Sequence, residues 1–225
     1  MCFNKETSIV SYLTGTIFSC LILNKGIKEK NKNFIITGIF FIVICLMQLN
    51  EYFIWKNQNC DEKNSFWSIV IMIVLLLQVI VLYICVKKYH NIKFYIDLIF
   101  IIFIILAIYS IIILIKNRKK LCSKPTKKHC RLEWASLKYL YKNNKLLIIT
   151  VTLGYMLLLL LLSEKIKFKI NSFLLKHFIK FALVLSVLVS IYLEKVDFFN
   201  IFGSLWCFIV AFFPLIYYFN LVISK

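Results

Sequence analysis

Glycine and proline are scarce in this chain of 225 residues, five and two respectively. That leaves little material for a loop-rich fold. Acidic residues are few, ten against 28 lysines and arginines, and charged residues make up 17% of the chain where a soluble domain carries about a quarter. Three histidines are scattered at His90, His129 and His177, so the converging ligand set of an intramembrane zinc hydrolase is missing. Cys122, His129, Cys130 and Glu133 match no standard zinc spacing, and neither a metal nor a cofactor is expected. No phosphate-cradling G-x-x-x-x-G-K-[ST], no G-x-G-x-x-G and no G-x-S-x-G elbow occurs, which removes the usual signs of nucleotide hydrolysis and serine hydrolysis. No lysine lies between Lys195 and Lys225 to form a retinal Schiff base, and no apolar block holds the repeated cations of a voltage sensor.

What the chain has in abundance is apolar sequence: 61% hydrophobic residues and a mean hydropathy of +0.84. These residues stand in blocks, not in a stripe of period 3.6, and such blocks need an apolar solvent. The reading is an integral membrane protein. About 20 helical residues cross a hydrocarbon core, and backbone groups in lipid must be satisfied within the segment. Seven segments qualify: 8–23, 34–55, 65–86, 94–115, 146–162, 173–193 and 198–222. The expected fold is all-α, a single multi-pass bundle of seven transmembrane helices over 1–225. The net charge of +18 does not point to nucleic acid, because the cations stand between the apolar blocks, where long basic side chains reach headgroups.

Seven spans put the termini on opposite sides. Side A then holds the N-terminus and loops 56–64, 116–145 and 194–197; side B holds loops 24–33, 87–93 and 163–172 and the C-terminus. Basic residues are nearly balanced between the two, so positive-inside counting does not orient the chain. Cysteines offer another handle. Cys2, Cys60, Cys122 and Cys130 all fall on side A, which allows two disulfides in three pairings if that side is oxidising. The alternative is four free thiols at a cytosolic face. Within the long basic loop, Trp134, Leu137, Leu140 and Tyr141 share one helical face opposite Arg131, Lys138, Lys142 and Lys145, which predicts an interfacial helix over 131–143. Segment 131–145 would suit anionic lipid headgroups, usually cytosolic, and so pulls against the disulfide reading. The cysteines are given precedence, and the N-terminus is placed outside.

One acid interrupts the second block. At 100° per residue Gln48, Glu51 and Trp55 share a face, while Asn50 points elsewhere. Glu51 sits one turn below the side A end, where facing the bundle or a wet pocket is cheaper than facing lipid. It is a ligand-binding or proton-handling group on one reading and a structural acid on the other. In the first block Ser8, Ser11, Tyr12, Gly15 and Ser19 form a small-residue side; in the last, Gly203, Trp206, Cys207, Val210, Pro214 and Tyr217 share a side. The three spans are expected to meet near Glu51.

Several short motifs are similar to those of a family of uncharacterised multi-span membrane proteins. "MCFNKETSIVSYLTG" resembles that family's Met-Cys-Phe-Ser-Ala-Thr-Ala-Ser-Phe opening. "QLNEYFIW" resembles its glutamine–acid–tryptophan motif at the end of the second span, "GSLWCFIVA" its Ser-x-Trp-Cys-Phe motif, and "HCRLEW" a further short motif. The chain departs at Asn4, where the family has Ser, and lacks a proline in its third span. The resemblance implies a seven-span bundle and the candidate positions Cys2, Phe3, Gln48, Glu51, Trp55, Trp206 and Cys207. It implies no reaction. The expected function is binding of a lipid, small ligand or protein partner near side A, with Glu51 and Gln48 as polar contacts and Trp55 and Trp206 as walls. The alternative is a proton- or ion-coupled transporter using Glu51. An intramembrane enzyme using Cys2, Cys207 or Glu51 has least support, because no histidine is placed to orient a nucleophile.

Overall fold

A computed structural model of the chain describes residues 4–125, 132–166 and 211–223. Helices dominate these residues: α1 Lys5–Lys28, α2 Lys32–Lys56, α3 Glu62–Tyr89, α4 Phe94–Lys116, α5 Ala135–Asn143, α6 Lys145–Ser163 and α7 Phe213–Ile223. α1, α2, α3, α4 and α6 are long and apolar enough to cross a membrane. The apolar blocks underestimate the helices, because flanking residues, most of them polar, extend α1, α2 and α3 by one to five residues at each end. Asn4, Asn31 and Asp61 supply the starts, each side chain accepting from a backbone N–H of the first turn. Pro214 falls in the first turn of α7, where its missing N–H leaves no hydrogen bond unmade. The segment expected at 173–193 lies outside the described residues, and of 198–222 only the end is described.

The helices pack in series, α7 on α1, α1 on α2, α2 on α3, with α4 and α6 paired beyond α3. The antiparallel register of α1 and α2 is fixed by small residues. A Cβ on Gly38 would stand 2.7 Å from the Leu23 Cβ, and one on Gly15 would collide with Cys45 Sγ and lie 2.6 Å from the Ala211 carbonyl oxygen. Ser8, Ser11, Gly15, Ser19, Ile22 and Gly26 form the buried seam of α1, as small residues do where helices approach closely. α7 packs on α1 and meets α2 through stacked Phe41 and Phe213, 4.9 Å apart. At the other end of the molecule, Tyr83 donates to Asp97 (2.5 Å) and receives a bond from Lys87 (2.8 Å), which pins α3 to α4. The outward faces are the reverse of a soluble surface: Ile101, Ile105, Ile108, Ile112 and Ile115 of α4 are all exposed.

Between α4 and α6 the chain folds over the end that carries the α1 N-terminus. It makes a 3₁₀ turn at Arg118–Lys120, then β1 Lys124–Pro125 pairs antiparallel with β2 Leu132–Glu133, then α5 begins. The interfacial helix predicted over 131–143 is therefore corrected: it starts at Ala135, because Leu132 and Glu133 are extended against Pro125 and Lys124. Its apolar side, Leu137 and Leu140, is buried against the other helices, while Lys138, Lys142 and Lys145 remain exposed.

Gly38→Val forces a branched side chain into Leu23 and should destabilise the chain by about 1–3 kcal/mol. Val10→Ala, on the outward side of α1, should change stability by less than about 0.5 kcal/mol. Thermal unfolding in detergent measures both, and equal shifts would contradict the seam.

Candidate functional site

The end of α2 carries the acid. Glu51 is 2% exposed and Gln48 1%. α1 reaches them through its register: Gly26 lies against Phe34 and Ile35, Leu23 against Gly38, Gly15 against Cys45, and Ser11 against Gln48. Continuing that register sets buried Ser8 opposite Glu51. The Ser11 Oγ stands 2.9 Å from Gln48 Oε1 and also within 2.8 and 3.0 Å of the Thr7 and Ser8 carbonyl oxygens. One hydroxyl proton serves one acceptor at a time. With the proton on Gln48 Oε1, Nε2 is left over; with it on a carbonyl, the amide turns Nε2 to Ser11 and Oε1 is left over. Either way one polar atom of the buried amide lacks a protein partner among the described residues. So do Ser8 Oγ and the indole Nε1 of half-buried Trp55, which shares the Glu51 face. Asn50 turns to the opposite face, as its spacing predicts, and donates to the Trp67 carbonyl oxygen at 3.1 Å.

Glu51 receives a hydrogen bond from Trp134 Nε1 at 3.0 Å. Trp134 is fully buried and immediately precedes α5, so the folded loop delivers its indole to the acid. Three fastenings hold the loop there. Ser123 N donates to Asn64 Oδ1 (2.8 Å), while Asn64 Nδ2 donates to the carbonyl oxygens of Asn57 (2.6 Å) and Ser123 (2.9 Å). Ser123 Oγ accepts from Ala135 N (2.9 Å) and lies 2.7 Å from Ser68 Oγ. A disulfide joins Cys60 to Cys122, with Cα atoms 5.0 Å apart. Cys60 sits at φ 55 in the left-handed region, a conformation costing about 1–2 kcal/mol outside glycine, so the surrounding contacts hold it.

Of the residues singled out in the sequence, Gln48, Glu51 and Trp55 come together, and Cys60 and Cys122 pair. Cys2, Phe3, Cys130, Trp206 and Cys207 lie outside the described residues. The sequence pattern puts Trp134 on an amphipathic face and gives no sign that it meets the acid, and nothing in the spacing marks Asn64, Ser68 or Ser123. A second buried polar contact joins Gln78 of α3, whose Oε1 accepts from Tyr155 of α6 at 2.5 Å. Among the described residues no group of three or more His, Cys, Asp or Glu is arranged to hold a metal ion. Chemically the site offers one carboxylate, one indole N–H, one end of an amide and one hydroxyl, a set suited to holding a polar group.

No protein-family model, curated protein or solved structure matches this chain.

Trp134→Phe keeps the buried ring and removes the donor to a carboxylate, which should cost about 1.5–3 kcal/mol. In a Glu51→Leu background the same change should cost much less, since the partner is gone. A double-mutant cycle on unfolding in detergent checks this, and additive effects would disprove the pairing. Cys60→Ser with Cys122→Ser should cost about 2–4 kcal/mol and render the loop sensitive to limited proteolysis.

Proposed function

We propose that this chain is a multi-pass integral membrane protein of seven spans, and that its side A end binds a polar ligand between α1 and α2. Five helices of spanning length with apolar outward faces support the membrane reading; the apolar blocks at 173–193 and 198–222 would supply the remaining spans. The binding reading rests on one observation: Ser8 Oγ, one end of the Gln48 amide and Trp55 Nε1, buried atoms near Glu51, lack protein partners among the described residues. Buried polar groups are nearly always bonded, and an exception calls for a bound molecule or water. The indole N–H demands an acceptor, so the ligand carries a carbonyl or phosphoryl oxygen, as a lipid headgroup or a small metabolite does. The motif resemblance supports the same positions, with Cys2, Phe3, Trp206 and Cys207 as further candidates.

The buried carboxylate favours a second reading, a proton- or ion-coupled carrier in which Glu51 titrates. Segment 131–145 would meet anionic headgroups through its exposed Lys138, Lys142 and Lys145. The Cys60–Cys122 bond supports an oxidising side A and hence an external N-terminus.

Native mass spectrometry of the detergent-purified chain should show a small adduct that Gln48→Leu with Trp55→Phe weakens about tenfold, the loss of two net hydrogen bonds. A wild-type chain without adduct, together with a more stable double variant, would mean that the site is packing alone. A carrier would show pH-dependent flux in proteoliposomes that Glu51→Gln abolishes. With Cys2 and Cys130 replaced by serine, an impermeant maleimide should label intact cells only after reduction. Labelling that requires permeabilisation would place side A inside.

A further inference from the structure

Away from the Glu51 site, a groove of about 510 Å³ runs between the first three turns of α3 and the end of α4. This is the size of a small-molecule site. Its lower part is apolar and opens to the outside through Phe66, Ile73 and Ile115, all exposed, above a buried floor of Ile69 and Leu121. Its upper part is charged. Asp61 and Glu62 stand at the start of α3, and Arg118 and Lys119 follow the end of α4. The separation is along the helix axis: Glu62 and Ile73 are eleven residues apart, about 16 Å at 1.5 Å per residue. In a bilayer this puts the charges at headgroup level and the isoleucines beside acyl chains.

We propose that this groove binds one phospholipid with a zwitterionic, amine-bearing headgroup, of the phosphatidylethanolamine class. The claim rests on the membrane reading above and is independent of the Glu51 site. The charges at the mouth are two of each sign, so a purely anionic headgroup would meet two carboxylates and a purely cationic one two bases. A zwitterion satisfies both. The Arg118 guanidinium and Lys119 ammonium face the phosphate, Arg118 as a planar fork suited to its oxygens. Glu62 takes the ammonium; its side chain is 93% exposed and only 3.9 Å from Arg118, a loose pairing that a lipid can replace. Asp61 contributes charge, since its Oδ1 already accepts from Asn64 N. An ammonium that donates hydrogen bonds distinguishes this lipid from a choline lipid, whose methylated nitrogen has no N–H to give. One acyl chain then lies along Ile69, Ile73 and Ile115.

The test is native mass spectrometry of the full chain in mild detergent, titrated with phosphatidylethanolamine, phosphatidylcholine and phosphatidylglycerol. One ethanolamine lipid should be retained about threefold more tightly than the other two. Arg118→Ala with Lys119→Ala should remove the preference for any phospholipid, and Glu62→Gln should remove only the preference for ethanolamine over choline, each change being worth about threefold at exposed positions. These side chains are exposed, so unchanged unfolding temperatures in the same detergent establish that the variants are folded. Equal retention of all three lipids, preference for phosphatidylglycerol, or a dimer that excludes lipid would overturn the proposal. Alkaline carbonate extraction separates the two readings. A chain that stays in the membrane pellet without lipid preference contradicts the groove alone; a chain released to the supernatant contradicts the membrane reading.

Discussion

A carboxylate buried among apolar helices has to be met by hydrogen-bond donors, because an unpaired charge removed from water is among the most expensive things a fold can contain. Glu51 is in that position at the end of α2. Much of what surrounds it follows from that need. The indole of Trp134 arrives from 83 residues away, which requires a loop folded tightly enough to hold one ring at one depth. The loop is held by backbone pairing at 124–125 and 132–133, by the Asn64–Ser123 clasp and by the Cys60–Cys122 bond. A loop joined only at its ends would leave the ring free to wander and the acid without this donor.

The same end of the molecule also holds buried polar atoms that lack partners among the described residues. α1 and α2 meet through side chains so small that their backbones nearly touch, and close approach brings polar atoms together faster than it provides partners for them. Ser8, Gln48 and Trp55 bear that consequence. Gln78, near the middle of α3, is in a similar position: its amide oxygen has the Tyr155 hydroxyl at 2.5 Å, while its Nε2 lacks a hydrogen-bond partner among the described residues. Beside Glu51 the neighbouring helix offers serines, of which Ser11 reaches the Gln48 amide oxygen at 2.9 Å and Ser8 Oγ finds no partner among the described residues.

Five helices of spanning length are legible from the sequence because long apolar blocks leave few alternatives, and their ends run further than the blocks where flanking polar residues continue the helix. The Gln48–Glu51–Trp55 face and the divergent Asn50 follow from 100° per residue alone. Trp134 was not legible as a partner, since its reach depends on an extended pair preceding α5 that neither Leu132 nor Glu133 signals. On α5 the apolar stripe packs against the other helices while its lysines stay exposed, and the period of a pattern does not name what it packs against. Likewise four side A cysteines allow three pairings, and spacing does not choose Cys60 with Cys122.

The disulfide also carries a consequence for how the chain is made. Its two cysteines are 62 positions apart, and α3 and α4 lie wholly between them. Cys122 comes within reach of Cys60 only after the chain has run out along α3 and returned along α4. Closing the bond therefore records the completion of that hairpin, and a nascent chain stalled anywhere before the return stroke would hold Cys60 without its Cys122 partner.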